Sequence, residues 1–306
     1  MFFVLFLVSL FSFSIIHFAP GDPLVMYKQP GMHKMTAEQE SALKEELGLN
    51  GSILDQYLGW LEKTLHGDLG TSITNRLPVR KQIFDKLPAT AGLMAASLCI
   101  SLVIAIPFGL LAGLYKNKWA DRVISFLTYL GISVPSFWFG MMLIVLFSLK
   151  LRILPNGGMR TIGISSTPDV IRHGILPALV LSVNNTAVFV RYIRSNTIGQ
   201  LQEEYVLTAK SKGASKARIL MGHVLKNCLL PVITLVGSQF GMFITGSFIV
   251  ESVFSWPGIG MLGMSAVNNR DYPMIMGITM ISCMVLLIGN FLADILYGFA
   301  DPRIKQ

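Results

Sequence analysis

Asp, Glu, Lys and Arg are missing from six long stretches of this 306-residue chain: Met1 to Gly21, Leu87 to Tyr115, Val123 to Leu149, His173 to Val190, Asn227 to Val250 and Tyr272 to Ala293. A buried helix of a water-soluble protein rarely passes ~20 residues without a charge, so the repeated absence excludes an ordinary soluble fold. Cysteine is scarce too. Cys99 and Cys283 lie within uncharged stretches and Cys228 near the start of another, with no CxxC spacing, which excludes a disulfide framework and thiolate zinc sites. The five histidines, His17, His33, His66, His173 and His223, do not recur at i, i+3 or i+4, so no metal site is expected. Neither HExxH, GxSxG nor GxxxxGK[ST] occurs. The chain is therefore not expected to be an enzyme, and any ATP hydrolysis must be done by another subunit. Asp294, at the end of the last apolar stretch, has no acidic mate for intramembrane proteolysis. Met1 to Phe18 lacks both a basic leader and a small-residue cleavage site, which argues against a signal peptide. The missing leader is what a start codon placed too late would leave.

What is present is apolar. Apolar residues make up 52% of the chain and charged ones 14%, against ~25% charged in soluble domains. About 20 apolar residues span ~30 Å of hydrocarbon at ~1.5 Å per residue, so the stretches predict an all-α, polytopic membrane protein with six transmembrane helices. The fourth stretch is marginal, and its inner end can be extended if Arg191 and Arg194 snorkel toward the headgroups. Pro107 and Pro135 should kink their helices, and Gly109, Gly113, Gly237 and Gly241 suit close helix packing. Orientation follows from Lys and Arg in short loops. With the N-terminus inside, Lys116 to Arg122, Arg191 to Lys226 and the tail carry three, seven and two, whereas the outer loops Lys150 to Arg172 and Glu251 to Asp271 carry four and one. Both termini are expected in the cytoplasm. The expected organisation is a first transmembrane helix over 1–22, an extracytoplasmic cap over 23–86, a five-helix core over 87–300 and a tail over 301–306. Topology and membrane lipid account for the net charge of +8, so no nucleic-acid partner is expected.

The core contains one patterned polar segment, 195–226. Leu201, Tyr205 and Ala209, then Ala217, Leu220, Met221 and Val224, recur at three or four residues, which predicts two short helices flanking Gly213. Such a knob suits docking into a groove on another protein.

The run Glu203-Glu204-Tyr205-Val206-Leu207-Thr208-Ala209-Lys210-Ser211-Lys212-Gly213-Ala214, continuing to Thr234, resembles the cytoplasmic coupling loop of binding-protein-dependent ABC importer permeases of the dipeptide, oligopeptide and nickel group. Further pieces match that group in order: Ala19 to Pro23, Gly67 to Ser72, Leu87 to Thr90, Gly131 to Trp138, Phe254 to Gly260, Arg270 to Pro273 and Asp301 to Arg303. Together they cover nearly the whole chain. The general importer pattern places Glu-Ala-Ala six residues before the glycine. Leu207-Thr208-Ala209 fills that slot here and the closing Leu230-Pro231 falls later, both similar to the peptide group's variant.

The resemblance implies the type I ABC importer permease fold and a place in the bacterial or archaeal inner membrane. It implies three kinds of partner besides lipid: a second homologous permease, two ATP-binding subunits and an extracytoplasmic solute-binding protein. ATP and magnesium would sit on the partner subunits, with no cofactor on this chain. Cargo would be di- or oligopeptides, with nickel or a nickel chelate as the alternative. Glu203, Glu204, Tyr205, Thr208, Ala209, Lys210, Lys212, Gly213 and Ala214 would make the coupling surface, with Tyr205, Ala209, Gly213 and Ala214 as its buried contact. Asn184, Asn185, Ser238, Gln239, Asn290 and Asp294 are polar residues within spans and candidates to line the pathway. Trp256, Pro257 and Gly258 are candidates for the outer gate or a binding-protein contact. The competing function is a self-sufficient secondary transporter, which would favour internal repeats and midplane charges not evident here.

Overall fold

The computed structural model describes residues 2–18, 38, 52–245 and 248–300 of the chain. Ala19 to Pro23, most of the expected cap before Ser52 and the tail 301–306 lie outside the described residues. Among the described residues there is no β-strand, only one isolated bridge between Thr71 and Pro78.

The first helix, α1 (Phe2–Phe18), is the shortest of the expected spans at 17 residues. Beside it runs α2 (Ile53–Leu65), opened by a capping box. The Asp55 amide donates to Ser52 Oγ at 3.2 Å while Ser52 N and Oγ donate back to the Asp55 carboxylate at 3.0 and 2.6 Å, which holds that carboxyl below its usual range. Tyr57 Oη bonds Ser9 Oγ at 2.9 Å, and Phe13, Ile16, Tyr57 and Met276 share a core. The α2 helix thus packs along the side of α1.

The second span, α3 (Val79–Leu114), has 36 residues, about 54 Å at the usual rise. That exceeds ~30 Å of hydrocarbon, so α3 projects beyond the membrane and takes in residues 79–86 of the expected cap. Its most extensive partner is α6 (Thr167–Gln200), itself begun by Ser166 accepting from the Asp169 amide with Pro168 in the first turn. The two helices approach through glycine. A Cβ built on Gly109 would lie 2.6 Å from Ile193 Cβ, and one on Gly113 would lie 2.5 Å from Thr197 Cβ. Gly113→Val is therefore expected to force α3 from α6 and cost about 1–3 kcal/mol, read as a lowered unfolding temperature of the purified protein.

The third stretch is not one straight helix. It is two, α4 (Trp119–Ser133) and α5 (Ser136–Leu143, continuing as a π-helical turn Ile144–Lys150), bent by 99°. Proline disfavours the helical conformation of the residue before it, and Val134 is extended at φ −83°, ψ 123°. The expected kink is a break. By contrast Pro88, Pro107 and Pro177 sit within continuous helices.

After α6 come α7 (Glu204–Ser211), α8 (Lys216–Ile219), a π-helical turn (Leu220–Val224) and α9 (Leu225–Thr245). The outer segment holds α10 (Phe248–Val253) and α11 (Ile259–Asn268), and α12 (Tyr272–Ala300) closes the chain against α9. There a Cβ on Gly237 would lie only 1.9 Å from Ala293 Cβ. By length and composition α3, α6 and α12 can each span a membrane, and two bent units, α4 with α5 and the run from α8 into α9 that bends by 41° before Pro231, bring the number to five beside the short α1.

Candidate functional site

At the basic end of the bundle, α6 continues past the uncharged stretch to Gln200. An ion pair anchors this extension. Arg194 Nε and a terminal nitrogen donate to Asp121 Oδ1 and Oδ2 at 2.5 and 2.7 Å, tying α6 to the start of α4. The carboxylate also accepts from the Asn117 amide at 2.8 Å. Arg194 therefore makes a fixed internal contact where snorkelling was expected.

A short turn then delivers α7. It ends in a Schellman motif: the Gly213 amide donates to Lys210 O at 2.9 Å and the Ala214 amide to Ala209 O at 3.1 Å, with Gly213 at φ +75°. Only glycine takes that conformation without strain. Beyond the turn, Ser215 caps α8 by accepting from Arg218 N, and α8 runs without a gap into α9. The second expected short helix is thus the foot of the fifth span.

The structure divides the coupling residues into two faces. Tyr205, Ala209 and Ala214 are half-buried against this chain's own core, where Val206, Ile219 and Val224 are fully buried. The Tyr205 hydroxyl donates to Gln200 Oε1 at 2.6 Å. Glu203, Glu204, Thr208, Lys210, Lys212 and Gly213 are exposed. Two large apolar residues join them, Leu207 at 56% and Met221 at 62% exposure. The buried role of Val206 and the exposure of Leu207 escaped the three-or-four spacing because α7 starts its own helical register at Glu204.

At the other end, several sequence motifs meet one another. Glu251 of α10 is wholly buried. Its Oε1 accepts from the Thr90 hydroxyl at 2.8 Å and its Oε2 from the Met261 amide at 3.1 Å, while Thr90 Oγ1 also accepts from Ile259 N at 2.8 Å. Trp256 Nε1 donates to Ala89 O at 3.0 Å, and its ring lies in a core with Leu93 and Ala178. Trp256 and Gly258 are buried and Pro257 is half-buried, so the Trp256 ring is an internal wedge between α3 and α6, away from the surface. Glu251 was not singled out in the sequence because it reads there as the first residue of a loop.

A second knot joins Gly67–Ser72 to Arg270–Pro273. Buried Asp271 accepts from the Ser72 hydroxyl, from Ile73 N at 3.1 Å and from Met274 N at 3.3 Å. One carboxylate thereby pins the loop before α3 and caps α12.

The candidate pathway residues are spread out. Asn184 is exposed on α6 beside the Pro135 break, where a cavity of about 430 Å³ opens. Asn185 and Asn290 are half-buried and Asp294 is exposed. Ser238 and Gln239 lie within α9, but their side chains fall outside the described set. Among the described residues no group of three or more His, Cys, Asp or Glu could hold a metal ion.

Comparison with known proteins places this geometry. The profile of the family described as binding-protein-dependent transport system inner membrane component matches residues 105–306. The oligopeptide transport system permease protein AppB of Bacillus subtilis (strain 168) is 41% identical over 300 residues, covering 97% of this chain and 94% of that protein. The dipeptide transport system permease protein DppB of Escherichia coli (strain K12) is 33% identical over 321 residues, covering 98% and 94%. The glutathione transport system permease protein GsiC of Escherichia coli O6:H1 is 34% identical over 301 residues, again covering 98% and 94%.

Proposed function

The chain belongs to the binding-protein-dependent transport system inner membrane components, and from that premise we propose how it works. It is a permease subunit of an ABC importer for peptides. Full-length similarity to oligopeptide, dipeptide and glutathione permeases supports that cargo class. In this reading it pairs with a second permease and with two ATP-binding subunits that bind ATP and magnesium, and it receives peptide from an extracytoplasmic binding protein. It catalyses no reaction and holds no cofactor itself. Both termini face the cytoplasm, as the Lys and Arg asymmetry supports.

The observation that carries the reading is α7, a two-turn helix held between two spans by a glycine-closed turn, with an apolar and basic outward face. Rigid-body movement of the ATP-binding subunits would reach the bundle through it. Leu207 and Met221 are the apolar anchors of that contact, and Lys210 and Lys212 are its rim charges. Tyr205, Ala209 and Ala214 instead fix α7 to the bundle. Leu207→Asp is accordingly expected to weaken retention of the ATP-binding subunits about tenfold during affinity purification, without lowering the permease content of membranes. Equal retention would move the docking face elsewhere.

The function itself is tested by purifying the complex expressed with its cognate subunits. Its ATPase rate is measured with binding protein loaded with peptides or with chelated nickel. Stimulation by peptide-loaded protein is expected. Stimulation by nickel alone would reassign the cargo, and a permease that transports without ATP-binding subunits would be a secondary transporter.

A further inference from the structure

Two cavities of opposite character adjoin between α4 and α6. The first, about 540 Å³, lies at the basic end and is lined by Tyr129, Arg191, Tyr192, Arg194, Ser195 and Asn196 among others. Its two arginines differ. Arg194 is neutralised by Asp121, whereas Arg191 lies 5.7 Å over the Tyr129 ring and has no carboxylate partner among the described residues. The side chains of Tyr192, Ser195 and Asn196 likewise form no hydrogen bond to any described residue, so a cation and several donors face one polar space. The second cavity, about 240 Å³, shares Thr128 with the first and is walled by Ile104, Phe108, Leu127, Val183 and Val190.

We infer that this pair of cavities binds a phospholipid with an anionic head. The phosphate lies against Arg191 and the neighbouring hydroxyls, and an acyl chain occupies the apolar cavity. Basic pockets between transmembrane helices at the headgroup level are suited to anionic lipid heads. The level is right here, since Lys116, Lys118 and Arg122 precede α4 or stand in its first turn while Arg191 and Arg194 lie near the end of α6. A free phosphate or a hydrophilic solute would fit the polar cavity alone and leave the apolar one unexplained. A neutral lipid would fit the apolar slot and leave the Arg191 charge unmatched. The site depends on the membrane setting and not on the identity of the cargo.

The test is native mass spectrometry of the complete importer after exchange into micelles containing equal phosphatidylglycerol and phosphatidylcholine. The wild-type complex should retain phosphatidylglycerol preferentially. Arg191→Gln should lower that retention about tenfold, as expected for losing a hydrogen bond to a charged group, and Arg191→Lys should keep most of it. Val183→Phe, which fills the apolar cavity without touching the charge, should lower retention of the same lipid. Equal retention of both lipids by the wild type, or unchanged phosphatidylglycerol in Arg191→Gln, would overturn the proposal. Displacement of the lipid by inorganic phosphate would also overturn it, by reducing the site to an anion pocket.

Discussion

Gly213→Pro is expected to lower peptide uptake about a hundredfold or more while leaving the permease in the membrane at its normal amount. Proline holds φ near −65°, and Gly213 stands at +75°. Proline also removes the amide that donates to Lys210 O at 2.9 Å, one of the two bonds that close α7. A penalty of about 3 kcal/mol corresponds to about a hundredfold in the population of the correctly closed turn. The damage stays local because the turn is exposed and a Cβ at Gly213 would meet nothing within 4 Å. Gly213→Ala therefore has room for its methyl group and carries only the left-handed backbone cost of about 1–2 kcal/mol, so its uptake should fall about five- to thirtyfold, less than that of Gly213→Pro. Immunoblots of membranes and uptake by whole cells separate the two effects. Normal uptake by Gly213→Pro would mean that α7 does not transmit the ATPase motion.

Those two substitutions probe a feature that the sequence displays well. Glycine between two short amphipathic patterns marks the turn because the chemistry is local: bonds span three to five residues and need one positive φ. The helical stretches were legible for the same reason, since the absence of charge is a property of each window alone. Legibility fails where a distant partner changes the meaning of a residue. The fourth stretch was expected to extend inward with Arg194 snorkelling, whereas α6 runs on to Gln200 with Arg194 paired to Asp121, far back in the chain. The third stretch shows its bend locally, since Pro135 marks the place, but not that the restriction on Val134 makes a 99° break of the expected kink. The α7 stripe was carried on from Leu201, whereas the helix begins afresh at Glu204 and turns Val206 inward. Glu251 is the extreme case. Its hydroxyl partner, Thr90, lies 161 residues away.

That partnership carries the largest expected stability effect. Thr90→Val should destabilise the purified complex by about 3 kcal/mol or more, read as a drop in its unfolding temperature, although valine nearly matches threonine in shape. Thr90 Oγ1 donates to Glu251 Oε1 and accepts from Ile259 N, both at 2.8 Å, so one hydroxyl serves α10 and the first turn of α11 together. Removing it takes one donor from the buried Glu251 carboxylate and the Thr90 acceptor from the buried Ile259 amide. Each such group costs about 1–3 kcal/mol, and more where it is charged. The local backbone has no slack to repair the loss. A Cβ on Gly258 would lie 2.3 Å from Thr90 Oγ1 and 2.4 Å from Glu251 Oε2, and one on Gly260 would lie 2.8 Å from the same carboxylate. Both glycines of the Trp-Pro-Gly-Ile-Gly motif thus make room for the Glu251 carboxylate, with Trp256 held to Ala89 beside it. A double-mutant cycle of Thr90→Val with Glu251→Ala should show strong non-additivity, because alanine offers no acceptor and either change alone breaks the shared bond. Additive losses, or an unchanged unfolding temperature in Thr90→Val, would show that Glu251 is not held by Thr90.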